Sequence, residues 1–246
     1  MSPAVVSYAD SSDVASAVGR FVLDAQKKAF SEGNSFKIAV SGGSLGKVMK
    51  AALIDDKKVS GSVEWKKWQV YFSDERIVPL THSDSNYGLF KQMVLDNLDD
   101  DNKPKVYTID DSLDSDEAIR KAYEEILPKD SKFDLVLLGC GPDGHTCSLF
   151  PEHPLLEVRD QQIALITDSP KPPPRRITFT FPVLESSKAI AFVAEGAGKA
   201  EVLKDIFTNP NSKLPSKLVN DISGVPVTWF VNDAAINGVN VIASKY

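Results

Sequence analysis

The run Phe133-Asp134-Leu135-Val136-Leu137-Leu138 constrains the fold of this chain more than any other stretch. A strand that is apolar at nearly every position cannot leave either face in water, so it belongs at the centre of a parallel sheet covered on both sides. Parallel neighbours need crossover connections, usually helices, and the sequence on either side of the run supplies them. Ser11 or Ser12 is placed to cap a helix whose apolar face carries Val14, Val18, Phe21, Val22 and Ala25 at helical spacing. Residues 36–40 read as a strand that breaks at Ser41-Gly42-Gly43-Ser44 into a helical stretch over 45–53. Residues 69–72 repeat the pattern, breaking at Ser73-Asp74-Glu75-Arg76 before a helix capped by Asp84 or Ser85 and buried through Tyr87, Phe90, Val94 and Leu98. A short strand over 105–109 and a helix over 114–126 lead into the apolar run. Beyond it come strands over 162–167, 177–181, 189–194 and 227–231, with a helix over 198–207. This alternation predicts an α/β fold with a mainly parallel sheet and helices on both faces, in a single domain spanning 1–246.

The chain's formal net charge of −6 opposes any sequence-independent hold on nucleic acid, which depends on many Lys and Arg side chains displacing counterions. An anion bound here has to be gripped locally. No apolar run approaches the length of a membrane span, and residues 1–10 lack the basic and apolar regions of an export signal. Cys140 and Cys147 form no disulfide framework, which suits a reducing compartment and predicts a cytoplasmic protein.

In sheets of this kind ligands collect outside the carboxyl ends of the strands, and three polar loops follow three of the predicted strands. Ser41-Gly42-Gly43-Ser44 has the small residues that let backbone N–H groups and hydroxyls approach a phosphate. A tight strand-to-helix turn with Ser44 as cap explains the same residues, and their spacing matches neither nucleotide fingerprint. Ser73-Asp74-Glu75-Arg76 places three charges directly after an apolar strand, either facing a cleft or pairing with one another. Arg76 is the sharper candidate, because its planar fork can meet two phosphate oxygens while Glu75 neutralises or orients it. The third loop, Gly139-Cys140-Gly141-Pro142-Asp143-Gly144-His145-Thr146, combines three glycines and a proline with an acid and a histidine. A histidine can take a proton from water near neutral pH, and a carboxylate beside it fixes the tautomer and stabilises the imidazolium. With three histidines and two cysteines in all, the chain is poorly supplied for a closed zinc site, so no metal is expected. Two basic features, Lys171-Pro172-Pro173-Pro174-Arg175-Arg176 and Lys199 at a helix start, are placed to close on an anion; a proline-rich partner motif and a solvated helix start are the alternatives.

Taken together, Ser41-Gly42-Gly43-Ser44, Asp74-Glu75-Arg76-Ile77-Val78-Pro79, Ser85-Asn86-Tyr87-Gly88, the 139–151 stretch GCGPDGHTCSLFP, His153-Pro154-Leu155-Leu156, the 169–176 stretch SPKPPPRR and Gly198-Lys199-Ala200 resemble the 6-phosphogluconolactonase family in order and spacing. The resemblance covers nearly the whole chain. It implies a Rossmann-like domain shared with glucosamine-6-phosphate deaminases, acting on 6-phosphoglucono-δ-lactone in the oxidative pentose phosphate pathway without a cofactor. It makes His145 the general base, with Asp143 in the same loop. It puts Ser41, Gly42, Gly43, Ser44, Arg76 and Lys199 toward the phosphate, with Arg175 or Arg176 joining them and Asp74 counted in the substrate-binding set. The deaminases carry a glutamate five residues after the histidine, where this chain has Phe150, and that departure favours simple hydrolysis over ring-opening proton shuttling. An amino-sugar-phosphate isomerase or deaminase and a non-catalytic phosphosugar-binding protein are the competing readings.

Overall fold

The computed structural model describes residues 3–130 and 132–246; Met1 and Ser2, part of the N-terminal segment read above, lie outside the described residues, as does Ser131. The strands are β1 (Ala4–Tyr8), β2 (Phe36–Val40), β3 (Trp68–Phe72), β4 (Asp74–Arg76), β5 (Lys105–Val106), β6 (Leu135–Gly139), β7 (Ile163–Ile166), β8 (Arg176–Phe179), β9 (Ile190–Ala194), β10 (Val227–Asn232) and β11 (Ala243–Ser244). The α-helices are α1 (Ser11–Glu32), α2 (Leu45–Met49), α3 (Asn86–Met93), α4 (Asp116–Glu125), α5 (Phe181–Ser186), α6 (Ala200–Thr208) and α7 (Pro215–Asn220).

Eight strands form one sheet in the order β11-β1-β10-β9-β6-β2-β3-β5, and every pairing in it is parallel. The apolar run becomes β6, an interior strand as its composition requires. Side chains alternate across a strand, so Leu135 and Leu137 enter a core with Val14, Val18 and Val22 of α1, while Val136 and Leu138 enter the opposite one. There they meet Tyr123 of α4, Leu203 and Ile206 of α6, and Ile163, Ile177 and Phe179. Those last three belong to a second sheet, β4-β8-β7, which is antiparallel. One face of the main sheet is thus covered partly by strands rather than by helices alone.

Several local expectations change. Asp74-Glu75-Arg76 is a strand pairing with β8, not a free loop, because Ser73 ends β3 and turns the chain into the smaller sheet. Asp10, through its backbone carbonyl, opens α1 in place of Ser11 or Ser12. Ser85 does cap α3, its hydroxyl accepting from the Gly88 N–H at 3.0 Å. The 45–53 stretch starts as α2 and widens into a π-turn over Lys50–Asp55. The 105–109 strand shortens to two residues, and Phe181 begins α5 because Pro182 favours a first helical turn over a continued ladder. No helix among the described residues is long and apolar enough to cross a membrane.

Candidate active site

A cavity of about 430 Å³ opens at the carboxyl ends of β2, β6 and β9 and is closed from the side by β4 and β8. Of the residues singled out from sequence, Ser41, Gly42, Gly43, Ser44, Asp74, Arg76, His145, Arg176 and Lys199 line it, and Asp143 stands beside His145.

The 139–146 loop is held by its own backbone. The Gly141 N–H donates to the His145 carbonyl at 2.8 Å, the Gly144 N–H to the Gly141 carbonyl at 3.0 Å, and Thr146 Oγ1 to the Gly139 carbonyl at 2.9 Å. Gly144 has φ +81, a conformation open to glycine at no steric cost. At Gly141 the requirement is space, since a Cβ there would lie 2.0 Å from His145 Nδ1. Lys199 Nζ donates to the Cys140 carbonyl at 2.6 Å, so this lysine braces the loop as well as lining the cavity.

His145 Nδ1 lies 2.5 Å from Asp143 Oδ1. An ionised carboxylate can only accept, so the ring proton sits on Nδ1 and the lone pair on Nε2. Lys171 Nζ lies 3.1 Å from both Asp143 Oδ1 and His145 Nδ1. Burial works to raise the Asp143 carboxyl, but the His145 hydrogen bond and the Lys171 charge outweigh it and hold it at about 2. Burial lowers His145 below its ordinary value; Asp143 opposes that shift and the Lys171 charge reinforces it. The imidazole is therefore neutral and the acid ionised at neutral pH, the states a base and its orienting group require.

The same cavity gathers two arginines. Arg76 Nη1 donates to the Asp84 carbonyl at 3.1 Å, while its buried Nε has no partner among the described residues. Arg176, 2% exposed, donates to the carbonyls of Pro173 (2.9 Å), Lys171 (2.8 Å) and Pro172 (3.1 Å), and to Ser148 Oγ at 3.3 Å. Burial first, and then the neighbouring charge of Arg76, make protonation of Arg176 less favourable than usual. Two cations facing one space in this way favour an anion between them. Gly42 lies against Asn86, where a Cβ would come within 1.9 Å of Oδ1. Asn86 Nδ2 in turn donates to the Asp74 carbonyl at 2.8 Å.

Two sequence expectations need correction. Arg175 does not join the cavity: it pairs with Asp116 of α4, Nε to Oδ2 at 2.8 Å, because neighbouring residues entering a strand point to opposite faces. Glu75 does not face the Arg76 guanidinium. Buried at 1% exposure, it accepts the backbone N–H groups of Arg76, Asn86 and Tyr87 at 2.7–2.9 Å and so ties β4 to the start of α3. Burial pushes its carboxyl up to about 7 against those three donors. Asp74, 5% exposed, lines the cavity and accepts from Ser148 Oγ at 2.7 Å. Sequence reasoning also missed individual roles for Lys171 and Asn86. Lys171 was visible only as part of a basic, proline-rich stretch, and Asn86 only as part of the Ser85-Asn86-Tyr87-Gly88 motif, without a role of its own. Cys140 and Cys147 are free and buried, and burial pushes both thiols up, away from nucleophile character.

Known proteins place this geometry in context. The sequence profile described as glucosamine-6-phosphate isomerases/6-phosphogluconolactonase matches residues 9–229. The chain is 49% identical over 230 residues to 6-phosphogluconolactonase 3 of Saccharomyces cerevisiae, covering 90% of this chain and 92% of that one. It is 41% identical to the 6-phosphogluconolactonase of Rattus norvegicus, covering 87% and 86%. The crystal structure of 6-phosphogluconolactonase from Thermotoga maritima superposes with a TM-score of 0.77 at 26% identity, over 94% of this chain and 99% of that one. With a profile match across nine-tenths of its length and relatives this similar, the chain belongs to the glucosamine-6-phosphate isomerase/6-phosphogluconolactonase family, as a member of its 6-phosphogluconolactonase branch.

Proposed function

We propose that this protein hydrolyses 6-phospho-D-glucono-1,5-lactone to 6-phospho-D-gluconate in the oxidative pentose phosphate pathway, with water activated by His145. One observation carries the reading: a neutral histidine, oriented by Asp143 at 2.5 Å, shares a cavity with two converging guanidiniums. The activity named for these relatives supplies the substrate class. The phosphate binds against Ser41–Ser44 residues and Arg76, with Arg176 adding charge, and this remote grip turns the encounter of lactone and water into an oriented step. Asp74 accepts from sugar hydroxyls. His145 Nε2 takes a proton from water as the oxygen attacks the lactone carbonyl, and Asp143 stabilises the imidazolium that forms. Cations and backbone N–H groups around the glycine loop meet the charge that grows on the carbonyl oxygen. Collapse of the tetrahedral intermediate breaks the bond to the ring oxygen, which receives the proton from His145. The products are one carboxylic acid and one hydroxyl, and the base is restored. The protein acts in this way as a single cytoplasmic domain with a small-molecule partner.

The test is the initial rate of acid release from freshly generated lactone, corrected for spontaneous hydrolysis. His145→Ala is expected to lose roughly 10²- to 10⁴-fold in turnover with its fold intact. A well-folded parent that gives no acceleration would overturn the reading.

A further inference from the structure

Directly opposite His145 stands a residue that makes no polar contact with it. The Thr146 N–H donates to the Leu149 carbonyl at 3.3 Å and the Leu149 N–H returns to the Thr146 carbonyl at 2.9 Å, so the chain reverses between them. Cys147, with φ +52, takes the left-handed conformation that this reversal needs. The next residues outward, His145 and Phe150, then face each other as a close pair. Their rings stack with centroids 5.0 Å apart and planes at 27°. Phe150 is 2% exposed, and the Arg176 guanidinium lies 5.7 Å from its ring centroid.

We propose that Phe150 is a positioning residue for His145: its stacked ring fixes the plane of the imidazole that Asp143 fixes in direction. A single hydrogen bond at Nδ1 leaves the imidazole free to roll about the bond axis, and rolling swings Nε2 away from the attacking water. A flat apolar partner on the ring face removes that freedom and excludes water from the same face. Arg176 secures the arrangement twice, through its contact with Phe150 and through the carbonyls of the loop that carries Lys171. The inference rests on the reading of His145 as the base. It also gives position 150 a physical part in the choice of reaction. A carboxylate there would remove the flat apolar face and, standing beside the imidazole, would favour its protonated form.

Nuclear magnetic resonance titration of the substrate-free protein separates this proposal from the proposed reaction. The chain has three histidines, and His145→Ala assigns the signal. The carbon-bound ring protons of His145 are expected to be displaced upfield by the Phe150 ring. Phe150→Leu should lose that displacement and move the His145 midpoint upward, toward the ordinary histidine value. Asp143, Lys171 and Asp74, the charged groups facing the ring, are unchanged in that variant, so the shift reports on the missing stack. Its kcat should fall roughly 10- to 100-fold with KM within about twofold, as expected for a misoriented base. Phe150→Tyr, which keeps the ring, should restore both the displacement and most of kcat. Parent ring protons at free-histidine positions would overturn the proposal, as would a Leu variant with the parent's midpoint and kcat. If the Leu variant fails to fold, the parent displacement and its retention in the Tyr variant still decide the matter.

Discussion

Around His145 the charged groups contact one another, whereas Arg76 and Arg176 face the same cavity and the buried Nε of Arg76 has no partner among the described residues. The first group is built almost wholly from adjacent residues of one loop. The second is assembled from β4, β8 and the segments between them. On the proposed reading the difference separates two tasks. A base needs its protonation state fixed before substrate arrives, while an anion grip gains most from charge that the protein has not already neutralised.

Four changes test that division. Asp143→Asn should have the largest effect, a kcat loss of up to about 10⁴-fold, because an amide can donate to Nδ1 and trap the tautomer with its proton on Nε2. KM should stay near the parent value, and a matching rise in KM would break the division. Gly141→Ala comes next. Its Cβ would meet Nδ1 at 2.0 Å, and displacing the base by about an ångström should cost roughly 10²-fold in kcat while competitive inhibition by inorganic phosphate is retained. Arg76→Ala should act in the opposite way, raising KM roughly 10- to 100-fold for a lost charge-assisted contact and weakening phosphate inhibition while sparing kcat.

The smallest effect is the pH dependence. Burial lowers His145, so the acidic limb of kcat/KM, where the base becomes protonated, should be centred below pH 6.5. Stability follows the same sign. The folded state disfavours the protonated imidazole, so this contribution is present above pH 6.5 and is lost as pH falls through the lower folded value. Asp143 adds a further loss between 3.8 and about 2, reduced by its partial exposure to solvent. An acidic limb centred above pH 6.5 would mean that Asp143 outweighs burial.

The same contrast explains what could be read from the sequence. His145 and Asp143 are two residues apart on a loop whose glycines permit its tight course, and their pairing needs no distant partner. The central position of β6 follows from its unbroken apolarity for a similar reason. Arg175 and Arg176 could not be separated, because which one faces the cavity depends on the register of β8, set by pairing with β4 about a hundred residues earlier in the chain. Three successive charges made β4 look like a loop, since its pairing with β8 and the Asn86 and Tyr87 N–H groups that help to satisfy Glu75 lie outside the local sequence. Lys171 reaches Asp143 across 28 positions, a contact that no local pattern encodes. Phe150 appeared only as a departure from the deaminase pattern, without the hairpin that turns it onto His145.

The smaller sheet has one more consequence. His145, Asp143 and the Ser41–Ser44 residues ride on the eight-stranded sheet, while Arg76 and Arg176 ride on the three-stranded one, whose Phe179 N–H donates to the Ser73 carbonyl at 2.8 Å. The site therefore lies along a seam between two layers, and its activity gauges how tightly they are docked. If the proposed anchor and base are the right ones, a solvent or substitution that loosens the seam is expected to move one relative to the other, so turnover should fall while both sheets still keep their own ladders.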